Sequence, residues 1–556
     1  MKTSKVINVE DKPQLKIDQD RQKKTQDIVE AVFADARFVL NPVVRAKIRT
    51  LSVDAYWHFQ PLTAQKILRD EVSALATWEN LDGTANFVTE QEGKVSYKGK
   101  PLEEVKAQLK RELFATAGVN DPLFFRELVR SKRGGSDTDQ LAEQIHTATH
   151  LAGSDPQASA RLIRESLDKG IEGSFAFALV KLRESSPAEA SALFNNALGR
   201  VRASGDLWQY QRLIPYVLPS ERDRLIGAKH YLTDAQRMLD AKKAVEYGSE
   251  LLYRRIQTEA PANMPPDLVK REYYLWRNLQ TVFEDVNPSQ VWLVNTRLRQ
   301  LASTLPPTTQ RPTDGPWSPD RLQTLLAAAD QSTGEKRDNY LSSAAFATWR
   351  FGNGDLNKAI ALVEKIGDSR VREDTAAVLY FQAGTKYLRT EGPDYALELA
   401  RKINFPVSRA QLFLEVIALL QDVKDTARAN ELRRELLSWL SNSERNSDTA
   451  WALLDFLDAT VSSVAEEKFA ALELLVRVLN SPSLESTGGL KNRVYWHPEF
   501  HDFRKSLMPL VKADFDRTLN LIQMLDNREI SLQVQAAFCA NYFKLQSHNR
   551  NVSERR

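Results

Sequence analysis

Residues 359–366, AIALVEKI, and residues 396–403, ALELARKI, repeat one pattern about 37 residues apart. Each copy follows an apolar run with helical spacing, residues 341–351 (LSSAAFATWRF) and residues 375–388 (TAAVLYFQAGTKYL). A single helix pair of this kind cannot bury its apolar face, so neighbouring pairs must stack on one another. The repeat therefore predicts an all-α fold, an α-solenoid of stacked antiparallel helix pairs.

The repeat resembles the tetratricopeptide family at particular residues. Gly354, with Ala359 five residues later, matches that family's turn and the small residue that opens its second helix. In the next copy, Gly384, Tyr387 and Ala396 match the spacing of the family's first-helix glycine and tyrosine and its second-helix alanine. The resemblance implies tetratricopeptide-like helix pairs and a concave surface for a protein or peptide partner.

The sequence departs from the tetratricopeptide pattern at its aromatic positions. Trp349 and Arg350 stand where the first copy should carry its aromatic residue, and Val363 and Ala400 replace the large aromatic of the second helix. The match covers about two repeats of the 556 residues. In overall style the chain is also similar to large uncharacterised bacterial helical-repeat proteins, a resemblance that implies no activity.

Seven dipeptides predict where helices begin, because proline is tolerated at the first helical position and Asn, Asp or Ser can cap the free amides before it. The chain has 23 prolines and 22 glycines. Both numbers are low for its length, which favours helices over sheets. The seven dipeptides are Asn41-Pro42, Asp121-Pro122, Asp155-Pro156, Ser186-Pro187, Asn287-Pro288, Ser318-Pro319 and Ser481-Pro482.

Interruptions of the helical pattern predict the domain organisation. The strongest interruption is LPPTTQRPTDGPWSP, residues 305–319, through which no regular helix can run. A weaker one, residues 80–100, fits a loop or a small hairpin, and we favour the loop. The predicted segments are a flexible tail (1–24), an N-terminal helical array (25–304), a Pro-rich linker (305–319), a C-terminal helical-repeat array (320–545) and a second tail (546–556).

Composition excludes several classes of protein. Lysine and arginine number 76 against 73 acidic residues, so the net charge of +3 gives no field that would make nucleic acid a general partner. Cys539 is the single cysteine, which excludes an intramolecular disulfide and a cysteine-cluster metal site. The sequence has no apolar stretch of membrane-spanning length and no apolar core for a signal peptide. We therefore expect a cytoplasmic protein, or an exported one if a signal peptide has been removed.

Five residues are candidates for binding a partner. Arg130, Lys132 and Arg133 precede a glycine pair and could hold a phosphate or an acidic peptide, although cations also complement the carboxyl end of a helix. Trp317 lies in the Pro-rich break and Trp496 lies beside two histidines, so either could anchor a partner or be buried against the end of a repeat. The remaining tryptophans in helical runs, including Trp451, are expected to pack between helices.

Two histidine pairs have the spacing that a metal ion could use. His146 and His150 are four residues apart in a predicted helix, and His497 and His501 are four apart around Pro498. The first pair has no third ligand nearby. The second pair is more suggestive because Glu499 lies between its histidines, but Pro498 places His497 at a helix cap rather than on the helix face. We therefore predict no metal and no cofactor, with packing or surface roles for the histidines.

The sequence contains no short motif that identifies an enzyme, such as a P-loop or a GxSxG string. The favoured function is a non-catalytic scaffold or adaptor that binds a protein or peptide through its helical repeats. The alternative is an enzyme on an α/α array, for example a glycan-acting hydrolase with two carboxylates held across a groove. We name no catalytic residue.

Overall fold

The computed structural model describes residues 11–76, 88–91, 94–97, 100–130, 137–153, 155–171, 173–218, 235–258, 260–305, 319–351, 355–388, 391–459, 465–481 and 501–554. The first half of this chain contains helices α1 (Asp11–Ala36), α2 (Pro42–Tyr56), α3 (Pro61–Ala76), α4 (Leu102–Asn120), α5 (Pro122–Arg130), α6 (Asp137–Leu151), α7 (Pro156–Leu167), α8 (Phe175–Ser185), α9 (Pro187–Ser204), α10 (Leu207–Leu213), α11 (Ala235–Thr258), α12 (Pro266–Val286) and α13 (Val291–Ala302).

The second half contains the helices that carry the sequence repeat. They are α14 (Pro319–Asp330), α15 (Gly334–Phe351), α16 (Leu356–Val363), α17 (Ser369–Tyr387), α18 (Pro393–Arg401), α19 (Pro406–Asp422), α20 (Thr426–Ser441), α21 (Ser447–Asp458), α22 (Ala465–Leu479), α23 (Phe503–Ala513), α24 (Phe515–Ile522) and α25 (Arg528–Glu554). The predicted all-α class is confirmed. Within the described ranges, no helix is long and apolar enough to cross a membrane.

One short antiparallel sheet interrupts the helices. Strands β1 (Val88–Gln91), β2 (Lys94–Tyr97) and β3 (Lys100–Pro101) lie in that order, with Val88 opposite Tyr97 and Gln91 opposite Lys94. Our preference for a loop in residues 80–100 was wrong, and the hairpin alternative is correct for the described part. Alternation of Val95 and Tyr97 with polar neighbours is the strand signal that this preference underweighted.

Proline begins an α-helix at five of the seven predicted dipeptides, and Pro482 of a sixth lies outside the described residues. Helices α2, α5, α7, α9 and α14 start at the prolines of the predicted dipeptides. Asn41 Oδ1 accepts a hydrogen bond from Val43 N at 3.1 Å, and Asp155 Oδ1 accepts one from Ala158 N at 3.0 Å. These side chains satisfy amides that have no acceptor inside the first helical turn. Pro288 begins a short 3₁₀ helix that precedes α13.

The chain forms two compact units. Unit 1 comprises Met1–Asn120, Ala376–Gly384 and Glu391–Arg556, whereas unit 2 comprises Asp121–Thr375 and Thr385–Thr390. This division differs from the predicted one, because unit 2 includes residues on both sides of the Pro-rich stretch and the N-terminal helices belong to the same unit as the C-terminal ones. Residues 306–318 of that stretch lie outside the described residues.

The N-terminal helices of unit 1 pack against its last helix. Helix α25 contacts both α1 and α2, and Tyr542 donates a hydrogen bond to Asp18 O at 3.3 Å. Arg504 Nη1 lies 3.0 Å from Asp54 Oδ2, and Arg21 Nη2 lies 2.6 Å from Asp516 Oδ2. Helices α1 and α25 therefore extend into both ranges predicted as flexible tails, 1–24 and 546–556. The sequence concealed this because the contacts join residues roughly 450–520 positions apart.

Within each unit, a helix contacts the next helix and also the one after it. In unit 1, α19 contacts α20 and α21, α21 contacts α22 and α23, and α22 contacts α23 and α24. In unit 2, α6 contacts α7 and α8, and α7 contacts α8 and α9. Contacts between alternate helices arise when successive helix pairs lie side by side with equivalent helices as neighbours.

Several polar contacts between alternate helices join residues about one repeat apart. Arg401 donates to both carboxylate oxygens of Glu435 at 2.8 Å across a separation of 34 residues. The hydroxyls of Ser342 and Thr375 lie 2.9 Å apart across 33 residues, and Arg200 Nη2 lies 2.9 Å from Asp168 Oδ1 across 32 residues. A similar separation thus recurs in both units.

Small residues permit close helix packing in the repeated segment. Ala359 and Ala396, which open α16 and α18 near their first turns, are both fully buried. Gly384 of α17 lies against Leu412 of α19, where an added Cβ would fall 2.3 Å from Leu412 Cδ2. The glycine therefore allows a closer approach than any other residue would permit.

Candidate functional site: the polar stripe on helix α21

Most of the residues predicted to bind a partner cannot be placed. Lys132, Arg133, Trp317 and Trp496 lie outside the described residues. Arg130 is the last residue of α5, and its side chain is also outside the described part. These five residues stay predictions, so the candidate site has to come from elsewhere in the molecule.

The histidine pairs give no metal site in the described part of the chain. His146 lies half-buried on α6, the side chain of His150 falls outside the description, and so does the whole of His497. Among the described residues, no group of three His, Cys, Asp or Glu side chains is placed to hold a metal ion. His501 instead belongs to a hydrogen-bonded cluster beside α21.

His501 and Ser506 form a chain of hydrogen bonds that ends at Asp458. Ser506 Oγ donates to Asp458 Oδ1, and His501 Nε2 lies 2.8 Å from Ser506 Oγ. A hydroxyl has one proton, so His501 must donate to Ser506 through Nε2. Burial lowers the pKa of His501, against the opposing attraction of Asp458 and Asp502, which favours this neutral tautomer at neutral pH.

The order of these three groups does not fit nucleophilic catalysis. In a catalytic triad the imidazole lies between the hydroxyl and the carboxylate, so that it can take the hydroxyl proton. Here the hydroxyl of Ser506 lies between His501 and Asp458, and the serine is almost completely buried. The cluster therefore fixes the conformation of neighbouring helices and positions the carboxylate of Asp458.

Helix α21 presents a line of three half-buried side chains, Trp451, Asp455 and Asp458, which we call the α21 polar stripe. Their spacing of four and then three residues places them on one face of the helix. Other α21 residues, including Leu453, Leu454 and Phe456, are buried and hold the helix in the core. The stripe is thus a partly exposed line between apolar residues that are buried in the core.

Asp455, at the centre of the stripe, has neutral side chains beside its carboxylate. Gln411 of α19 donates through Nε2 to Asp455 Oδ2 at 3.1 Å, and the indole of Trp451 lies beside the same carboxylate, one helical turn before it. Burial raises the pKa of Asp455 despite these two neighbours and the more distant charge of Lys505. Within the described part of the molecule, no lysine or arginine forms an ion pair with Asp455.

Asp458 differs because cations lie around it. Lys505 Nζ is 3.6 Å from Asp458 Oδ2, and the charge of Asp458 also acts on the buried Lys468 of α22. Burial nevertheless raises the pKa of Asp458 above its ordinary value. The stripe therefore contains one carboxylate with nearby cations and one without an ion-pair partner among the described residues.

A second pair of an indole and a carboxylate lies in unit 2 and is completely buried. Trp276 Nε1 donates to Glu272 Oε1 at 3.1 Å, four residues away on α12. Arg297 of α13 donates through Nε at 2.8 Å and through Nη2 at 3.2 Å, and Arg255 of α11 adds two bonds of 3.1 Å. Burial would raise the pKa of Glu272, but these arginine hydrogen bonds outweigh it and lower that pKa.

Sequence reasoning did not select the α21 polar stripe. Trp451 was expected to pack between helices, and Asp455 and Asp458 were not selected at all. Their spacing along one face of a helix, with apolar residues between them, was the available signal. The donors Gln411 and Ser506 come from different helices and are more than 40 residues away, so no local motif records them.

Comparison with known proteins does not assign the stripe. No protein-family model matches this chain, and a search of curated proteins finds no similar sequence. The function of the stripe therefore has to follow from the chemistry of its own residues.

Proposed function

We propose that this protein is a non-catalytic scaffold, built on a tetratricopeptide-like α-solenoid, that binds a protein or peptide segment through its helical repeats. The observation that carries the proposal is the pattern of contacts between alternate helices across 32–34 residues. That separation agrees with the 34-residue period of tetratricopeptide helix pairs, in which each pair stacks on the next. Stacked pairs expose a row of first helices on which an extended partner can lie.

The α21 polar stripe is the binding surface that this architecture favours. Helix α21 is the first helix of its pair, and its neighbours in the same row are α19 and α23. Gln411 on α19 and Lys505 on α23 extend the polar line to both sides of the stripe. A partner segment that crosses the row could therefore contact three helices in succession.

The arrangement of carboxylates favours binding over hydrolysis. A glycan-acting hydrolase places its two acids on opposite sides of the bond that breaks. Asp455 and Asp458 instead lie three residues apart on the same face of one helix. The glycan-hydrolase alternative would need a second carboxylate on a facing wall.

Chemical crosslinking of the captured partner would test the proposal. The full chain is used as bait, and lysine-reactive crosslinks are mapped by mass spectrometry. We expect crosslinks at Lys505, which is 61% exposed beside Asp458, and none at the control Lys358 of unit 2, which is more exposed at 77%. A Lys505→Arg variant should lose those crosslinks and still retain the partner.

Two results would count against the scaffold. One is that the wild-type bait captures no protein in greater amount than a control bait that carries both Trp451→Ala and Asp458→Ala. The other is a partner that crosslinks only to unit 2 and that the doubly substituted bait retains as well as the wild type does.

A further inference from the structure

The same pairing of an indole with a carboxylate occurs in two places. In α12, Trp276 follows Glu272 by four residues, and in α21, Asp455 follows Trp451 by four residues. In α12 the indole N–H donates to the carboxylate at 3.1 Å, and in α21 the indole lies beside the carboxylate on its own helix. The two pairs differ in what else the carboxylate receives.

The carboxylate of Glu272 is paired with guanidinium groups of the protein itself. Arg297 donates to both of its oxygens, and so does Arg255, so that the buried charge has strong and directional partners. An arginine fork suits this role because its planar N–H groups match the two oxygens of a carboxylate.

Asp455 has neutral neighbours, and within the described residues it has no ion-pair partner. The amide of Gln411 donates to it at 3.1 Å, the indole of Trp451 lies beside it, and the charge of Lys505 acts on it only from a greater distance. A carboxylate removed from water without a counter-charge is unfavourable, as the direction of its pKa shift shows. The group is half-buried, so an incoming side chain can still reach it.

We propose that Trp451 and Asp455 form a receptor for an arginine side chain of the partner segment. The guanidinium would form an ion pair with the carboxylate of Asp455 and lie against the indole of Trp451. A tryptophan ring attracts a cation placed over its face, so the second contact would add to the first. Charge complementarity selects the occupant, since a carboxylate without a cation gains most from a guanidinium. The proposal deepens the proposed scaffold function by naming the chemistry of its partner, and it rests on that function.

The receptor can be tested without knowing the partner. Full-length protein labelled with ¹⁵N at its tryptophan indoles is titrated with N-acetyl-arginine amide, and the Trp451 signal is assigned by its loss in Trp451→Phe. The uncharged probe N-acetyl-citrulline amide has nearly the same shape and serves as the matched ligand. We expect the arginine probe to shift the Trp451 signal until the site is saturated. The citrulline probe should bind at least about tenfold more weakly.

Two variants make the result specific. Asp455→Asn keeps an acceptor for Gln411 but removes the charge, and it should weaken arginine binding about tenfold or more. Asp526→Asn, an exposed change elsewhere in unit 1, should leave binding unchanged. Equal shifts with arginine and citrulline, or unchanged binding by Asp455→Asn, would overturn the receptor, and so would the absence of any shift.

Failure of the receptor and failure of the scaffold give different results. If the arginine probe does not bind while a captured partner still crosslinks to Lys505, the scaffold stands and the arginine receptor is wrong. If the probe binds at Trp451 but no partner is captured, the receptor chemistry stands and the scaffold function is wrong.

Discussion

The Glu272 cluster of unit 2 and the Asp455 site of unit 1 begin from the same local pair and end with opposite electrostatics. Glu272 and Arg297 are both fully buried, and two arginines together with an indole surround the single carboxylate. Asp455 has an indole and an amide but no arginine within the described structure. Accordingly, the pKa of Glu272 is lowered, whereas that of Asp455 is raised.

This difference separates a group that holds the fold from one that is available to a ligand. A buried carboxylate with two guanidinium partners is part of the core, because removing it leaves two cations without their counter-charge. A half-buried carboxylate with neutral donors contributes little to folding and keeps its capacity for a cation. The three predictions that follow test this separation, from the largest expected effect to the smallest.

Glu272→Ala should be strongly destabilising. It leaves Arg297 and Arg255 without their carboxylate and removes the acceptor of the Trp276 indole, so the free energy of unfolding should fall by about 3–5 kcal/mol. Urea unfolding of the full chain would measure it. Glu284→Ala, an exposed change on the same helix, is the control and should be nearly neutral. A loss as small as that of the control would mean that the Glu272 cluster is not part of the core.

Gln411→Arg should supply Asp455 with an ion-pair partner, which it does not have among the described residues. The new guanidinium replaces a donor that already lies 3.1 Å from Asp455 Oδ2, so unfolding should become less favourable by about 1 kcal/mol or less. The same substitution should block the arginine probe at Trp451. Thermal denaturation and the indole titration would check the two effects, with Gln323→Arg on the exposed face of α14 as control. Undiminished probe binding by Gln411→Arg would contradict the idea that an internal arginine completes the site.

The two carboxylates should respond to pH in opposite directions. The pKa of Glu272 is lowered on folding, so its contribution is present above the ordinary value of 4.5 and is lost as the pH falls through the folded pKa. The pKa of Asp455 is raised, so its contribution is present below 3.8 and is lost as the pH rises through the folded pKa. Between about pH 3.5 and 7, the melting temperature of Asp455→Asn should therefore rise relative to that of the wild type as the pH increases. Glu272→Gln should fall further behind over the same range, and parallel curves for the two variants would contradict this assignment.

Local signals in the sequence predicted much of the secondary structure. Asn41, Asp121 and Asp155 cap helices that begin at the following prolines, because capping depends on a few neighbouring residues. The repeat at Ala359 and Ala396 likewise pointed to buried small residues. The solenoid itself stays a proposal that the contacts between alternate helices support.

What the sequence did not reveal depends on residues far apart in the chain. Asp18 and Arg21 read as part of a polar tail because their partners, Tyr542 and Asp516, lie about 500 residues away. The site at Asp455 was missed for a related reason, since its character depends on Gln411, which lies 44 residues away in the sequence. Neither property is recorded in the spacing of neighbouring residues.

The packing of α1 and α2 against α25 has a consequence during synthesis of the protein on the ribosome. Thr25 is fully buried, and its carbonyl accepts a hydrogen bond from Cys539, 514 residues later. At a synthesis rate of about 5–20 residues per second, the first helices emerge roughly 25–100 s before the helix that covers them. During this interval the apolar faces of α1 and α2 have no final partner, so these helices should be accessible to chaperones and proteases in the nascent chain.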